Sequence, residues 1–361
     1  MNENLSIFHQ ILAQGVENKA SDWHVKEGTG VSLRIAGSLV PLDFVPGHEF
    51  MENIIDAMAT PEQKRTYAET GDLDLSYAPE GIGRFRVNIH KQRALHAMTM
   101  RHVKSRIMTI DELSLPPVLK TIAESKRGII LVCGTTGSGK STTLAAMLQH
   151  VNMKFPMHII TIEDPIEYEF KDEMCMFEQR EVGLDTSSFQ SALSHALRQD
   201  PDIIMVGEMR DKASFESALQ AADTGHLVLS TIHATNASQA INRILDFYPK
   251  NEQDSIREAL AINLRATIAQ RLLPKALGGG VVPANEIMIN TPIIEKYIQD
   301  NELDKLSDAI KAGKEDGMIT FNASLLQRIN NGEISEEVGL DASAEPEALR
   351  MNLKGIFVNG V

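Results

Sequence analysis

Nine consecutive residues, Gly134-Thr135-Thr136-Gly137-Ser138-Gly139-Lys140-Ser141-Thr142, complete the pattern G-x-x-x-x-G-K-[ST]. Glycines at this spacing let the backbone wrap closely around phosphate, and successive N–H groups then point at the anion. Lys140 is placed to reach β- and γ-phosphates, and the Ser141 hydroxyl to hold Mg²⁺. The flanks fit the same reading. Gly128-Ile-Ile-Leu-Val-Cys133 is a short apolar run of the kind that forms a buried strand. After the loop, Leu144, Met147, Leu148 and Val151 fall on one helical face. A strand, a glycine turn and a helix N-terminus together make a cradle for a nucleoside triphosphate.

Three further apolar runs end in groups that could act on such a ligand. Thr161-Ile-Glu-Asp-Pro-Ile-Glu-Tyr168 presents Glu163 and Asp164 as soon as its strand stops. Asp202-Ile-Ile-Met-Val-Gly-Glu-Met-Arg210 has the form of a Walker B strand, with Glu208 just beyond it. Thr224-Gly-His-Leu-Val-Leu-Ser-Thr-Ile-His-Ala-Thr235 sets His226 before a strand and His233 after it. Phosphoryl transfer to water requires a cradle, a divalent cation, a residue that positions the water, and cations for the developing charge. The expected division gives water activation to Glu163 and magnesium support to Glu208, in the second case directly or through water. His226 and His233 are expected to sense the γ-phosphate or to line an interface. On spacing alone, Arg84, Arg86, Arg93 and Arg101 read as solvated strand residues.

Two regions must position these groups. Residues 1–102 open with helical spacing (Leu5, Phe8, Ile11, Leu12, Val16). Alternating runs follow at 31–35, 72–77, 83–89 and 97–101, which predict a small antiparallel sheet with helices on one side. Residues 103–118 read as a connector, holding Ser105, Arg106 and Leu115-Pro-Pro117. From 119 to 340 the rhythm is βαβ, with strands at 128–133, 157–162, 203–206 and 227–232. Helices are predicted at 186–198, capped by Thr186, and at 212–222. This alternation means a parallel sheet covered on both faces, with ligands at the carboxyl ends of its strands. The segments beyond 236 read as helical, including Ile256, Leu260, Leu264, Ile268 and Leu272, as far as Gly278-Gly-Gly280. Residues 341–361 read as a weakly ordered tail.

The 361 residues leave room for two domains. A net charge of −14, from 35 basic and 49 acidic residues, opposes a broad nucleic-acid footprint. No apolar run reaches the length of a membrane span, and no export signal is visible at the start. Two cysteines, Cys133 and Cys175, suit a reducing cytosol better than a disulfide framework.

The four boxes in this order resemble the secretion ATPase superfamily, and within it the type IV pilus retraction ATPases of the PilT/PilU kind. The resemblance runs from Ala20-Ser-Asp-Trp-His24 through Gly83-Arg-Phe-Arg-Val-Asn88 and Gln179-Arg-Glu-Val182 to Glu286-Ile-Met-Ile-Asn-Thr-Pro292. It implies an α/β, RecA-like P-loop core with a parallel sheet, preceded by a smaller PAS-like α+β domain. It further implies a homohexameric, Mg²⁺-dependent ATPase motor that powers pilus retraction and twitching motility. Such a motor works in the cytoplasm at the inner-membrane pilus base, against a platform protein, and its PilU-like form works alongside a PilT ring. Under the resemblance Glu163 is the catalytic glutamate, Glu208 the Walker B glutamate and His233 the His-box histidine, while Arg86 and Arg101 become arginine fingers. One signature departs: Ile293-Ile-Glu-Lys-Tyr-Ile-Gln-Asp300 keeps the apolar positions of the retraction signature but lacks its two arginines. That departure and the tail Leu349-Arg-Met-Asn-Leu-Lys354 favour a PilU-like chain over PilT itself. A RecA-like nucleic-acid motor is the reading from another class.

Overall fold

The structure is a computed structural model in which residues 3–103 and 106–356 are described. Ser105, expected in the connector, and the last five residues of the expected tail lie outside them. The chain divides into two compact units. The first holds residues 1–106 with 167–169, and the second holds 107–166 with 170–361.

In the first unit, α1 (Glu3–Glu17) precedes β1 (Asp22–Lys26), β2 (Gly30–Ile35) and β3 (Ser38–Leu42). Then come α2 (His48–Met58), α3 (Pro61–Thr70), β4 (Asp72–Tyr77), β5 (Phe85–Gln92) and β6 (Leu95–His102). The strands form one antiparallel sheet in the order β3-β2-β1-β6-β5-β4. Its apolar positions pack with Phe8, Ile11 and Leu12 of α1 and Phe50, Met51 and Ile54 of α2. Trp23 is the keystone. It is fully buried, stands edge-on to Phe85 at 5.2 Å between ring centres, and donates its indole N–H to the Ile11 carbonyl at 3.2 Å. The helix opposite it can carry only glycine at position 15, where a Cβ would lie 2.3 Å from the indole.

The second unit begins with α4 (Val118–Ala123), β7 (Gly128–Cys133), α5 (Lys140–Asn152), β8 (His158–Glu163) and β9 (Met176–Glu181). It continues through α6 (Phe189–Ala196), β10 (Ile203–Val206), α7 (Lys212–Asp223), β11 (Leu227–Ile232), α8 (Ala237–Leu245) and α9 (Gln253–Asn263). Then follow β12 (Leu264–Pro274), β13 (Val281–Ile289), α10 (Pro292–Gln299), α11 (Leu306–Ala312), α12 (Phe321–Asn330), α13 (Glu336–Ala342) and α14 (Pro346–Leu353). Seven strands run in the order β13-β12-β7-β11-β10-β8-β9. All neighbours are parallel except the edge pair of β12 and β13. The expected α/β core and the smaller α+β unit before it are both present. Among the described residues no helix is long and apolar enough to cross a membrane.

Several expectations need correction. Residues 264–274 are strand β12, not helix, and Gly278-Gly-Gly280 lies in the connection to β13. Leu264, Ile268 and Leu272 are four apart, which satisfies a helix; in the strand Ile268 and Leu272 share a side, while a register shift between Leu264 and Ala266 sets Leu264 apart. The polar edge strand β9 went unread because Met176–Glu181 has no apolar run to mark it. Helix α6 is capped by Ser188, which accepts from the Ser191 N–H, while Thr186 forms a bridge with Val182. Most of the expected connector belongs to the second unit: Ile110 and Leu115 are buried, and Arg328 donates to the Ser114 carbonyl. Much of the expected tail is also folded. Helix α14 buries Leu349 in a cluster with Leu273, Val282, Leu325 and Ile334.

Candidate active site

Strand β7 is buried along its whole length, and its register with β11 runs from Gly128 opposite Leu227 to Cys133 opposite Ile232. The loop leaves at Gly134, where φ is 157°, and enters α5 through Gly139, where φ is 84°. These conformations and the crowding behind them explain the glycines. A Cβ on Gly134 would sit 2.2 Å from Ser138 Oγ and 2.7 Å from the Gln270 carbonyl. One on Gly139 would sit 2.9 Å from Gln270 Nε2. Gln270, buried on β12, braces the loop from below. Its Nε2 donates to the Ser138 carbonyl at 2.7 Å, and its Oε1 accepts from Thr143 Oγ1 at 2.8 Å and Asn285 Nδ2 at 3.0 Å. Lys140 Nζ donates to the carbonyls of Gly134 at 3.0 Å and Thr135 at 3.1 Å, so the ammonium lies folded over its own loop.

The predicted acidic groups share this edge. β7, β11, β10 and β8 are adjacent and parallel, so the phosphate loop, His233, Glu208 and Glu163 all stand at carboxyl ends. At about 4.8 Å per strand, Glu208 is roughly 10 Å of sheet from β7 and Glu163 about 14 Å. Glu163, the last residue of β8, is 6 % exposed. Its Oε1 accepts from Thr161 Oγ1 at 2.7 Å and from Gln179 Nε2 at 3.2 Å. Glu208 is held from two sides: Arg210 Nε donates to its Oε2 at 2.7 Å, and His233 Nε2 is 3.1 Å from its Oε1. Arg210 also faces Asp164 at 3.8 Å, which links the β8 and β10 ends. The loop carrying His233 is fixed in turn by Glu286, whose Oε1 accepts the Ala237 N–H at the start of α8. Burial pushes the Glu286 carboxyl above the ordinary range, against the pull of that hydrogen bond.

His226 is a correction. It precedes β11, and its carbonyl accepts the Gly128 N–H at the amino end of β7. The six residues of β11 span roughly 20 Å, so His226 lies at the edge of the sheet opposite the phosphate loop. Its Nδ1 is within hydrogen-bonding distance of the Ala221 carbonyl at 3.0 Å and Thr224 Oγ1 at 3.1 Å, which makes it a local anchor rather than a γ-phosphate sensor in this chain.

Arg86 and Arg101 belong to the first unit and face each other across β5 and β6. Both are exposed. Arg101 Nε donates to Asp22 Oδ1 at 2.7 Å. The Asp22 carboxylate thus already offsets one of two arginines that stand opposite each other in register.

Gln179, Arg210 and Gln270 were missed as site residues. Gln179 and Arg210 lie inside quoted motifs and gave a signal. Gln270 was concealed in the run misread as helix. The donor set suits magnesium and a polyphosphate: a hard hydroxyl oxygen at Ser141, a carboxylate at Glu208, and a glycine cradle with Ser138 Oγ buried and lacking a partner.

The family described as Type II/IV secretion system protein matches residues 4–281. A curated relative from Pseudomonas aeruginosa, Type IV pilus ATPase PilU, is 39% identical over 96% of this chain and 91% of its own. A second from the same organism, Type IV pilus retractation ATPase PilT, is 39% identical over 94% of this chain and 98% of its own. A crystal structure of the pilus retraction motor PilT with bound ADP superposes with a TM-score of 0.87 at 40% identity, covering 94% of this chain and 97% of that one.

Proposed function

The chain belongs to the family of type II/IV secretion system proteins, and from that premise we propose that it is a Mg²⁺-dependent ATPase motor for type IV pilus retraction, of the PilU-like kind. The observation that carries this reading is the alignment of the phosphate loop, Glu208 and Glu163 on one edge of the parallel sheet. Lys140 and the loop amides bind and orient the triphosphate. Glu163 takes the role of the base that orients and deprotonates the attacking water, and its burial beside Thr161 and Gln179 fixes the carboxylate's direction. Ser141 and Glu208 would hold Mg²⁺, which when bound neutralises charge on the β- and γ-phosphate oxygens. His233 and Arg210 orient Glu208 for that task. Arg86 and Arg101 are proposed as the arginines that complete a site in a homohexamer, with turnover driving motion of the first unit with respect to the second. The partners proposed with it are a platform protein of the pilus base at the inner membrane, on the cytoplasmic side, and a PilT ring.

Glu163→Gln tests the chemical core of this reading. ATP should still bind, while the steady-state hydrolysis rate should drop about 10²–10⁴-fold. Unimpaired turnover in that variant would remove Glu163 from the role. For the cellular function, the chain should raise retraction only in cells that keep a PilT. Rescue of a strain lacking both PilT and PilU would make it an independent motor instead.

A further inference from the structure

We propose that the first unit carries a zinc site formed by Glu27, His48 and His96, separate from the nucleotide chemistry and built from that unit alone. One donor atom from each of the three residues lies within 4.8 Å of the other two. Ligands bound to zinc at about 2.0–2.2 Å stand roughly 3.3 Å apart in a tetrahedron, so side-chain shifts of the order of 1 Å would close the site.

The three residues come from separate stretches of the chain and are tied to one another by hydrogen bonds. Glu27 follows β1, and its backbone N–H donates to the His96 carbonyl at 3.1 Å. Its Oε2 accepts the His96 N–H at 2.9 Å in return, so strand pairing locks the carboxylate to β6. His48 opens α2, and its Nδ1 is 2.9 Å from Glu27 Oε1. The two imidazoles are stacked, with ring centres 5.4 Å apart and planes 26° off parallel. Glu27 itself is only 5 % exposed, which is uncommon for a carboxylate, and the hydrogen bond from His96 holds its pKa below the ordinary value.

The outer nitrogens are engaged as they are around bound metals. The Tyr67 hydroxyl meets His96 Nδ1 at 2.8 Å, leaving Nε2 as that ring's donor to a cation. Glu52 Oε1 lies 3.5 Å from His48 Nε2, leaving Nδ1. Such partners on the far nitrogen set the tautomer and the ring direction of ligating histidines. Two imidazoles and one carboxylate select zinc over magnesium or calcium, which prefer all-oxygen shells. The exposed side of His48 leaves a fourth position for water.

The test is metal binding by the full-length, tag-free, chelator-stripped chain without nucleotide. One Zn²⁺ per chain should be retained at micromolar concentration. Co²⁺ should give the visible absorption of a low-symmetry N/O site, and Zn²⁺ should abolish it. His48→Ala, at an exposed position, should weaken Zn²⁺ binding by at least about tenfold with an unchanged circular-dichroism spectrum. Tyr67→Phe should weaken it less, because Tyr67 acts through His96. Absence of stoichiometric Zn²⁺ binding, or binding that His48→Ala and His96→Gln both leave intact, would overturn the proposal whatever the ATPase measurements give.

Discussion

The tips of β8 and β10 carry one glutamate each, yet the two side chains live in different surroundings. Glu163 is buried and takes hydrogen bonds from the neutral donors Thr161 and Gln179. Glu208 is more open and meets the charged Arg210 and the imidazole of His233. Two side-chain donors on a buried carboxylate hold its direction, which suits a group that positions water. One held by a guanidinium and an imidazole is oriented from outside, which suits support for a metal. The contrast teaches that two glutamates at neighbouring strand ends meet different partners, which is the basis for proposing different roles for them.

The largest effect should come from removing what both glutamates serve. Lys140→Ala deletes the side-chain cation of the phosphate loop, so tight ATP binding or turnover should vanish, and equilibrium binding of a fluorescent ATP analogue would show which. The contrast between the tips would then lose its meaning, since neither would have a substrate. Arg86→Ala comes next. Hydrolysis should fall by about 10²–10³-fold with nucleotide affinity nearly intact, as expected for a group that meets charge only in the transition state. A collapse of affinity would make Arg86 a ground-state clamp. Smaller still are the neighbours of each glutamate. Gln179→Ala should lower kcat about tenfold without moving the Mg²⁺ requirement, because it loosens Glu163. His233→Ala should do the reverse, raising the Mg²⁺ needed for half-maximal rate while kcat at saturating Mg²⁺ changes less.

The phosphate loop and both glutamates were legible because each follows a buried, largely apolar strand, and such runs have one reading when a glycine or carboxylate ends them. The antiparallel sheet of the first unit showed through its alternation at 72–77 and 97–101. Order failed where two periods coincide: Ile268 and Leu272 obey both helix and strand, and only pairing with β7 decides. It failed again at β9, which is held by its neighbour β8 rather than by apolar residues of its own. His226 stands before its strand in the sequence, and that position is the amino end of β11, at the sheet edge away from the phosphate loop, where a γ-phosphate role does not fit. Helix α14 was read as loose because a few apolar residues, Leu349 chief among them, are enough when the rest of the pocket comes from distant segments. The clustering of Glu27, His48 and His96 had no sequence signal, since they lie in the turn after β1, at the start of α2 and in β6.

The assignment of different roles to Glu163 and Glu208 is tested most directly by the Mg²⁺ dependence of ATP hydrolysis in the two glutamine variants. Glu208→Gln should shift the half-saturating Mg²⁺ concentration upward, whereas Glu163→Gln should depress the plateau and leave that concentration unchanged. The opposite pattern, or the same pattern in both, would contradict the division of labour between the two strand tips.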